Sequence, residues 1–249
     1  TLTKGAIALS AAVDPNGSSS PDVLRLAAMN ARLQTSMASA LDEAVLSAAA
    51  AAGVDLAGLG KLREIPYDFV RRRFTVLAEL PDRTPELICK GAVAEVLGDC
   101  THVRDPKRAR PLDREERARL DAYVEAKAGE GFRTLALSTG EEGQACLEGF
   151  VLFFDPPKRA IARTVAGLRE RGISVRIVSG DNRHVSAHMA KVIGLSTTEV
   201  LTGQVIAGLD EPALAERIDG VSLFAEVEPQ QKERIVRAFQ HAGHTVGYL

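Results

Sequence analysis

Four short stretches of this sequence carry residue types that could handle a phosphate-bearing ligand. Ser179-Gly180-Asp181-Asn182 follows an apolar, β-branched run and precedes a helical pattern. A hydroxyl and the free N–H groups of a helix N-terminus can together hold a phosphoryl group, and ligands of open parallel sheets gather at the carboxyl ends of strands. A plain strand–helix turn, with Asp181 or Asn182 as N-cap, would read the same way. Glu228-Pro229-Gln230-Gln231-Lys232 puts a lysine in the first turn of another helix, again after a strand. Lys232 could neutralise phosphoryl charge in the same crevice, or be an ordinary surface lysine. Cys89-Lys90-Gly91-Ala92 ends a strand with a lysine and opens a helix with a glycine, which permits close backbone approach to a ligand. The spaced glycines and Lys-Ser/Thr pair of a Walker A loop are missing. Ile65-Pro66-Tyr67-Asp68-Phe69 precedes Arg71-Arg72-Arg73, an aromatic beside cations that could sandwich a nucleotide. The bland alternative is that Tyr67 and Phe69 are core and the arginines a solvated strand face. Tyr67 and Arg72 fall on opposite faces of a flat strand, so a shared ligand requires a bend between them.

Two kinds of secondary structure must position these groups. To about residue 150 the pattern is irregular. A helix starts at Pro21 after the turn cluster Asn16 to Ser20, and a second runs from Leu41 to Ala52. Arg73 to Leu80 and Glu86 to Cys89 read as strands around Pro81 to Pro85; Asp113 to Lys127 reads as a helix ended by Gly129 and Gly131. Phe132 to Leu137 and Leu147 to Phe154 alternate like strands, giving an α+β segment. Beyond it the pattern alternates regularly: helix Lys158 to Arg171, strand Ile173 to Val178, a helix through Val185, Met189 and Val192, strand Val221 to Phe224, helix Pro229 to Gln240, strand His244 to Leu249. That alternation predicts a parallel, doubly wound sheet.

Composition narrows the function classes. The chain has 249 residues, 45% hydrophobic and 26% charged, enough for one large or two ordinary domains with a real core. A net charge of −2 argues against a broad nucleic-acid or polybasic membrane surface. Aromatics make up 4% and Trp is absent, which disfavours a stacking platform of several rings. Cys89, Cys100 and Cys146 are spaced like neither a disulfide framework nor a zinc site, so no resident metal ligand set is expected and the thiols read as reduced. No stretch is apolar enough to span a bilayer, and no signal peptide is evident.

Taken in order, the motifs resemble the P-type ATPases. Thr1-Leu2-Thr3 is similar to the tail of the family's Asp-Lys-Thr-Gly-Thr-Leu-Thr motif, and Lys90-Gly91-Ala92 to its nucleotide-domain Lys-Gly-Ala. Asp155-Pro156-Pro157-Lys158 resembles its hinge motif, Ser179-Gly180-Asp181 its Thr-Gly-Asp, and the stretch around Lys232 its Pro-x-x-Lys. Any one of these is weak; five in the family's order are specific. The Ile65–Phe69 stretch with its arginines, Leu41-Asp42-Glu43-Ala44-Val45-Leu46, Phe153-Phe154-Asp155 and Asn30 with Gln34-Thr35 are most similar to bacterial magnesium-transporting members.

The resemblance implies an α/β protein: an α+β nucleotide-binding domain, residues 7–151, inserted into an incomplete haloacid-dehalogenase-like sheet domain, residues 1–6 and 152–249. It implies ATP and Mg²⁺ as cofactors, an aspartyl-phosphate cycle, and a cytoplasmic place in an integral membrane protein. The partners would be the transmembrane and actuator domains of the same longer chain, and the piece itself a monomer. Tyr67 would stack on adenine, with Lys90 and Gly91 in the nucleotide pocket and Arg72 and Arg133 near the phosphates. Asp42 or Glu43 would lie near the base, the choice staying open. Ser179 would hydrogen-bond the transferred phosphoryl and Lys232 neutralise it, while Asp155 and Asp181 would position nucleotide, Mg²⁺ or the domain closure. Glu226 stands where many relatives have Arg, which puts one charge contact in doubt. The acceptor aspartate is expected upstream of Thr1 and further Mg²⁺ carboxylates after Leu249, so the piece alone is expected to bind ATP and not hydrolyse it. Two rivals are a soluble haloacid-dehalogenase-like phosphatase with a large cap, which would need an Asp-x-Asp motif that is not found, and a nucleotide-sensing module.

Overall fold

The structure, a computed structural model, describes residues 2–35, 39–68, 70–105 and 108–248. Thr1 of the first motif, Phe69 of the aromatic–arginine stretch and Leu249 of the last expected strand lie outside the described residues. The chain divides into two compact units, Ile7–Ala126 with Arg133–Phe154, and Thr1–Ala6 with Lys127–Phe132 and Asp155–Leu249.

The Ile7–Phe154 unit is built from β1 (Ala8–Val13), α1 (Pro21–Leu33), α2 (Ala40–Ala51), β2 (Gly60–Ile65), β3 (Arg73–Glu79), β4 (Pro85–Ala92), α3 (Val93–Asp99), β5 (Cys100–Arg104), β6 (Ala109–Pro111), α4 (Arg114–Gly129), β7 (Arg133–Thr139) and β8 (Ala145–Phe154). Among the described residues the strands form one sheet in the order β2-β3-β4-β7-β8-β5-β6, with β1 also on β8. In this sheet, among the described residues, only β5 and β8 pair in parallel. β8 pairs with β7 on one edge and on the other serves two partners in turn, β5 along Ala145–Leu147 and β1 along Phe150–Phe154. Gly149, at φ 152°, sits where they change over, and a Cβ there would lie 2.1 Å from the Val13 carbonyl oxygen.

α1 begins where sequence and chemistry agree: the Ser20 hydroxyl accepts from the Val23 N–H and Pro21 fills the first helical position. Its buried face (Val23, Leu26, Ala27, Met29) lies on the inward side chains of Phe74, Val76 and Ala78, every second residue of β3, together with Ile88, Leu137, Val151 and Phe153. Period-3.6 and period-2 patterns thus meet in one core.

The other unit carries α5 (Ile161–Glu170), β9 (Ile177–Val178), α6 (Arg183–Val192), β10 (Val200–Thr202), α7 (Gly203–Ala207), α8 (Glu211–Ile218), β11 (Leu223–Ala225) and α9 (Pro229–His241). Among the described residues its three strands are parallel, in the order β10-β11-β9. Successive residues of β11 face opposite ways: Leu223 packs with Val165, Ile177, Ala190 and Ile193, and Phe224 with Leu201, Ile206, Leu214 and Ile235. Helices therefore cover both faces.

Three expectations change. The strand expected over Ile173–Val178 keeps ladder pairing only at Ile177–Val178. The strand ending at Lys90 runs on to Ala92 and the helix opens at Val93, because Gly91 and Ala92 continue the ladder opposite Ala136 and Leu135. Residues 244–248 form no strand; the His244 N–H turns back to the Phe239 carbonyl at 3.0 Å as a helix-end bond, and its ring reaches Asp219 at 2.7 Å.

Candidate functional site

In the Ile7–Phe154 unit the expected residues gather around the end of β4. Lys90 Nζ donates to Asp42 Oδ1 at 2.5 Å, and both side chains are only 6% exposed. Asp42 is the third residue of α2, held by a capping box: its Oδ2 accepts from the Ser39 N–H at 3.0 Å and from the Ser39 hydroxyl at 2.8 Å. The carboxylate is therefore fixed from both sides, and an α2 terminus that sequence spacing places only approximately is locked to β4. Burial pushes the Lys90 amine below the usual lysine range, and the adjacent Asp42 charge and hydrogen bond oppose that shift. Of the two acidic candidates, Asp42 is the one brought to Lys90; Glu43 is exposed on the next helical position.

The bend required between Tyr67 and Arg72 exists. β2 and β3 are antiparallel neighbours, so the connection between them reverses the chain. Asp68 Oδ1 accepts from the N–H groups of Val70 at 2.8 Å and Arg71 at 2.5 Å, and Arg72 follows in the left-handed region at φ 48°. Tyr67 is 43% exposed on this turn, so it is not a core ring. The Arg72 carbonyl accepts from the Ala92 N–H at 2.9 Å, two residues past Lys90. Register places Arg133 on the same sheet face as Lys90, since Leu137 is opposite Lys90 and Arg133 lies two alternations further along β7.

Strand packing explains two features of this stretch. A Cβ at Gly91 would meet Arg73 Cβ at 2.4 Å and the Arg72 carbonyl oxygen at 2.6 Å, so a glycine here allows β3 and β4 to approach closely. Arg73 is not on a solvated face. It is buried, with its guanidinium on Asp99, on Glu142 at 2.5 Å and on the Glu95 carbonyl at 3.2 Å. Neither Asp99 nor Glu142 carries a local signal of this pairing.

In the other unit Ser179 immediately follows β9. Its N–H donates to the Phe224 carbonyl at 2.9 Å, its carbonyl accepts from the Val227 N–H at 3.0 Å, and its Oγ accepts from the Asp181 N–H at 3.1 Å. That last bond occupies a lone pair and leaves the hydroxyl proton to donate outward. Lys232 stands in the first turn of α9, exposed, where a capping box of Glu228 and Gln231 and Pro229 at the helix start fix the helix entry. Since β9 and β11 are parallel neighbours, Ser179 and the α9 entry leave the same edge of the sheet. Asp155 lies in a segment running antiparallel to residues 2–4 (Lys4 N–H to Pro156 carbonyl, 3.0 Å; Lys158 N–H to Leu2 carbonyl, 3.1 Å), with its Oδ1 buried and unpartnered. Among the described residues no three His, Cys, Asp or Glu side chains are grouped to hold a metal ion. No helix among them is long and apolar enough to cross a membrane.

Comparison with known proteins places this arrangement. The family model "P-type ATPase, cytoplasmic domain N" matches residues 22–150, more than half of the chain. A magnesium-transporting ATPase, P-type 1, of Salmonella typhimurium is 35% identical over 266 residues, covering 100% of this chain and 29% of the relative. The protein of that name from Escherichia coli K12 is 34% identical over 268 residues, with the same coverage. A calcium-transporting ATPase type 2C member 2 of Rattus norvegicus is 29% identical over 189 residues, 74% of this chain and 20% of the relative. The chain thus spans under a third of the length of the magnesium-transporting relatives it matches. The chain belongs to the P-type ATPase family, and its residues 22–150 are the cytoplasmic domain N.

Proposed function

We propose that the chain is the ATP-binding cytoplasmic part of a cation-transporting ATPase that works through an aspartyl-phosphate, with Mg²⁺ as the transported ion. The magnesium assignment rests on chain-long similarity to the Salmonella and Escherichia proteins. The observation that carries the nucleotide reading is the buried Lys90–Asp42 pair at the end of β4, beside the turn that presents Tyr67. A buried lysine already neutralised by a carboxylate presents an oriented N–H donor and a carboxylate acceptor rather than a bare charge, which suits the polar edge of a base. Tyr67 supplies a stacking face worth about 1–3 kcal/mol, and Arg72 and Arg133 supply cations for the phosphates.

In the Asp155–Leu249 unit, belonging to a haloacid-dehalogenase-like sheet, Ser179 donates its hydroxyl proton to the transferred phosphoryl and Lys232 neutralises its charge. Asp181 keeps the Ser179 hydroxyl oriented through its own N–H. Alignment and charge neutralisation account for most of the catalysis of such transfers, and these residues contribute both. The chain alone binds ATP with about −4 to −5 kcal/mol, near millimolar, and does not hydrolyse it. Titration with labelled ATP tests this. Tyr67→Ala and Lys90→Met lose binding and Ser179→Ala keeps it; equal weakening by all three defeats the division of labour.

A further inference from the structure

Glu226 is held more tightly than an exposed residue after a short strand needs to be. It follows β11 with φ 57°, a backbone region that L residues avoid. Its N–H donates to the Asp181 carbonyl at 2.9 Å, and its Oε1 accepts from the Arg183 N–H at 3.1 Å. The next residue, Val227, donates its N–H to the Ser179 carbonyl at 3.0 Å. Arg183 opens α6, so its N–H has no partner within the helix, and a carboxylate there is favoured by the helix dipole. From the other side, Gly203 packs so close that a Cβ on it would lie 2.2 Å from the Glu226 carbonyl oxygen. The unusual backbone is thus set by its neighbours on both sides, and it points the carboxylate at the α6 entry.

We propose that Glu226 is a positioning residue for the Ser179–Asn182 loop: its side chain caps α6 and its backbone ties down Asp181, which fixes the Ser179 hydroxyl for the phosphoryl group. It acts through the loop and does not touch the phosphoryl. The claim rests on the reading of Ser179 given above. It also gives position 226 a role in this chain that an arginine could not fill, since a guanidinium cannot accept from the Arg183 N–H.

The test is site-resolved amide hydrogen exchange of the Asp181 and Arg183 N–H groups in this chain. Glu226→Gln keeps an acceptor oxygen. Glu226→Gly removes the acceptor while relieving the left-handed backbone, and Glu226→Ala removes the acceptor without relieving it. Exchange at both amides rises roughly ten- to hundredfold in the Gly and Ala variants and stays at the wild-type rate in Gln. Wild-type protection in Glu226→Gly, or Gln exchanging as fast as Ala, overturns the proposal. In the full-length transporter, Glu226→Gly lowers kcat with the KM for ATP unchanged, and Glu226→Gln restores kcat; a Gln variant as slow as Gly also overturns it. Failure of the wild-type chain to bind ATP would remove the functional reading instead, and the exchange pattern is scored independently of it.

Discussion

Replacing Asp42 by Ala leaves the Lys90 ammonium buried without its counter-charge. Both side chains are 6% exposed and 2.5 Å apart, so water replaces the lost carboxylate only in part. Breaking a buried pair from one side costs about 3–5 kcal/mol, and losing the α2 capping box adds about 1 kcal/mol. Removing the charge instead, in Lys90→Met, leaves an Asp42 still held by the Ser39 N–H and hydroxyl, and costs less. The double variant Asp42→Ala/Lys90→Met is therefore more stable than Asp42→Ala alone. The assay is urea unfolding by circular dichroism, with hydrogen exchange of the α2 and β4 amides isolating this unit. The pH dependence has a definite sign. Burial lowers the folded-state value of Lys90, so the unfolded chain binds more protons between that value and the ordinary lysine value of about 10.4. Stability rises with pH through that window, by at most about 1.4 kcal/mol per pH unit, and the window widens in Asp42→Ala, whose deficit shrinks toward pH 10. A deficit under 1 kcal/mol, or a double variant that simply adds the two singles, would refute the buried-pair argument.

Gly91→Ala forces the backbone of Arg72 and Arg73 away from β4, since the obstructing atoms are main chain and Cβ rather than a flexible tip. It costs about 1–3 kcal/mol in urea and weakens labelled-ATP binding by displacing Arg72. Burial raises the Glu86 carboxyl above its ordinary value and leaves its Oε2 unpartnered. The folded state therefore binds the proton more tightly, and stability falls as pH rises from about 4.3 through the raised value. Glu86→Gln removes that slope and stabilises the neutral protein in pH-dependent urea melts. Burial pushes Cys100 up to about 12 and Cys146 to about 11. Alkylation at pH 8, followed by mass spectrometry, modifies them only after unfolding.

The sequence made the long periodic elements legible and the pairings between distant elements illegible. α1 and α9 announce themselves by a cap, a proline at the first turn and an apolar stripe, so Ser20-Pro21 and Glu228-Pro229 place them. β10 and β11 span three residues each and β6 three, too short for any period, and only β11 was anticipated. Ser179 and Lys232 stood out as candidates because each lies where a strand gives way to a helix, Lys90 because it lies near such a junction, and Tyr67 because a proline and charged residues surround it between two strands. The choice of Asp42 over Glu43 was not, because adjacent helical residues differ only in direction, and the capping box that turns Asp42 inward is a three-dimensional fact. The burial of Arg73 was not legible for a related reason: Glu142, one of its partners, is 69 residues away. The strand expected over His244 to Leu249 had the right composition, and its described residues, 244–248, have no neighbouring strand to pair with among the described residues.

The claim everything else depends on is that nucleotide recognition belongs to the Ile7–Phe154 unit and phosphoryl recognition to Ser179 and Lys232. Amide chemical shifts of the ¹⁵N-labelled chain, titrated in parallel with adenosine and with ATP, measure this directly. Adenosine is predicted to move Tyr67, Asp42 and Lys90 and to leave Ser179–Asn182 still, and ATP to add Arg72 and Arg133. Adenosine shifts centred on Ser179–Arg183, or none at Tyr67 and Lys90 at saturating ATP, would contradict the account.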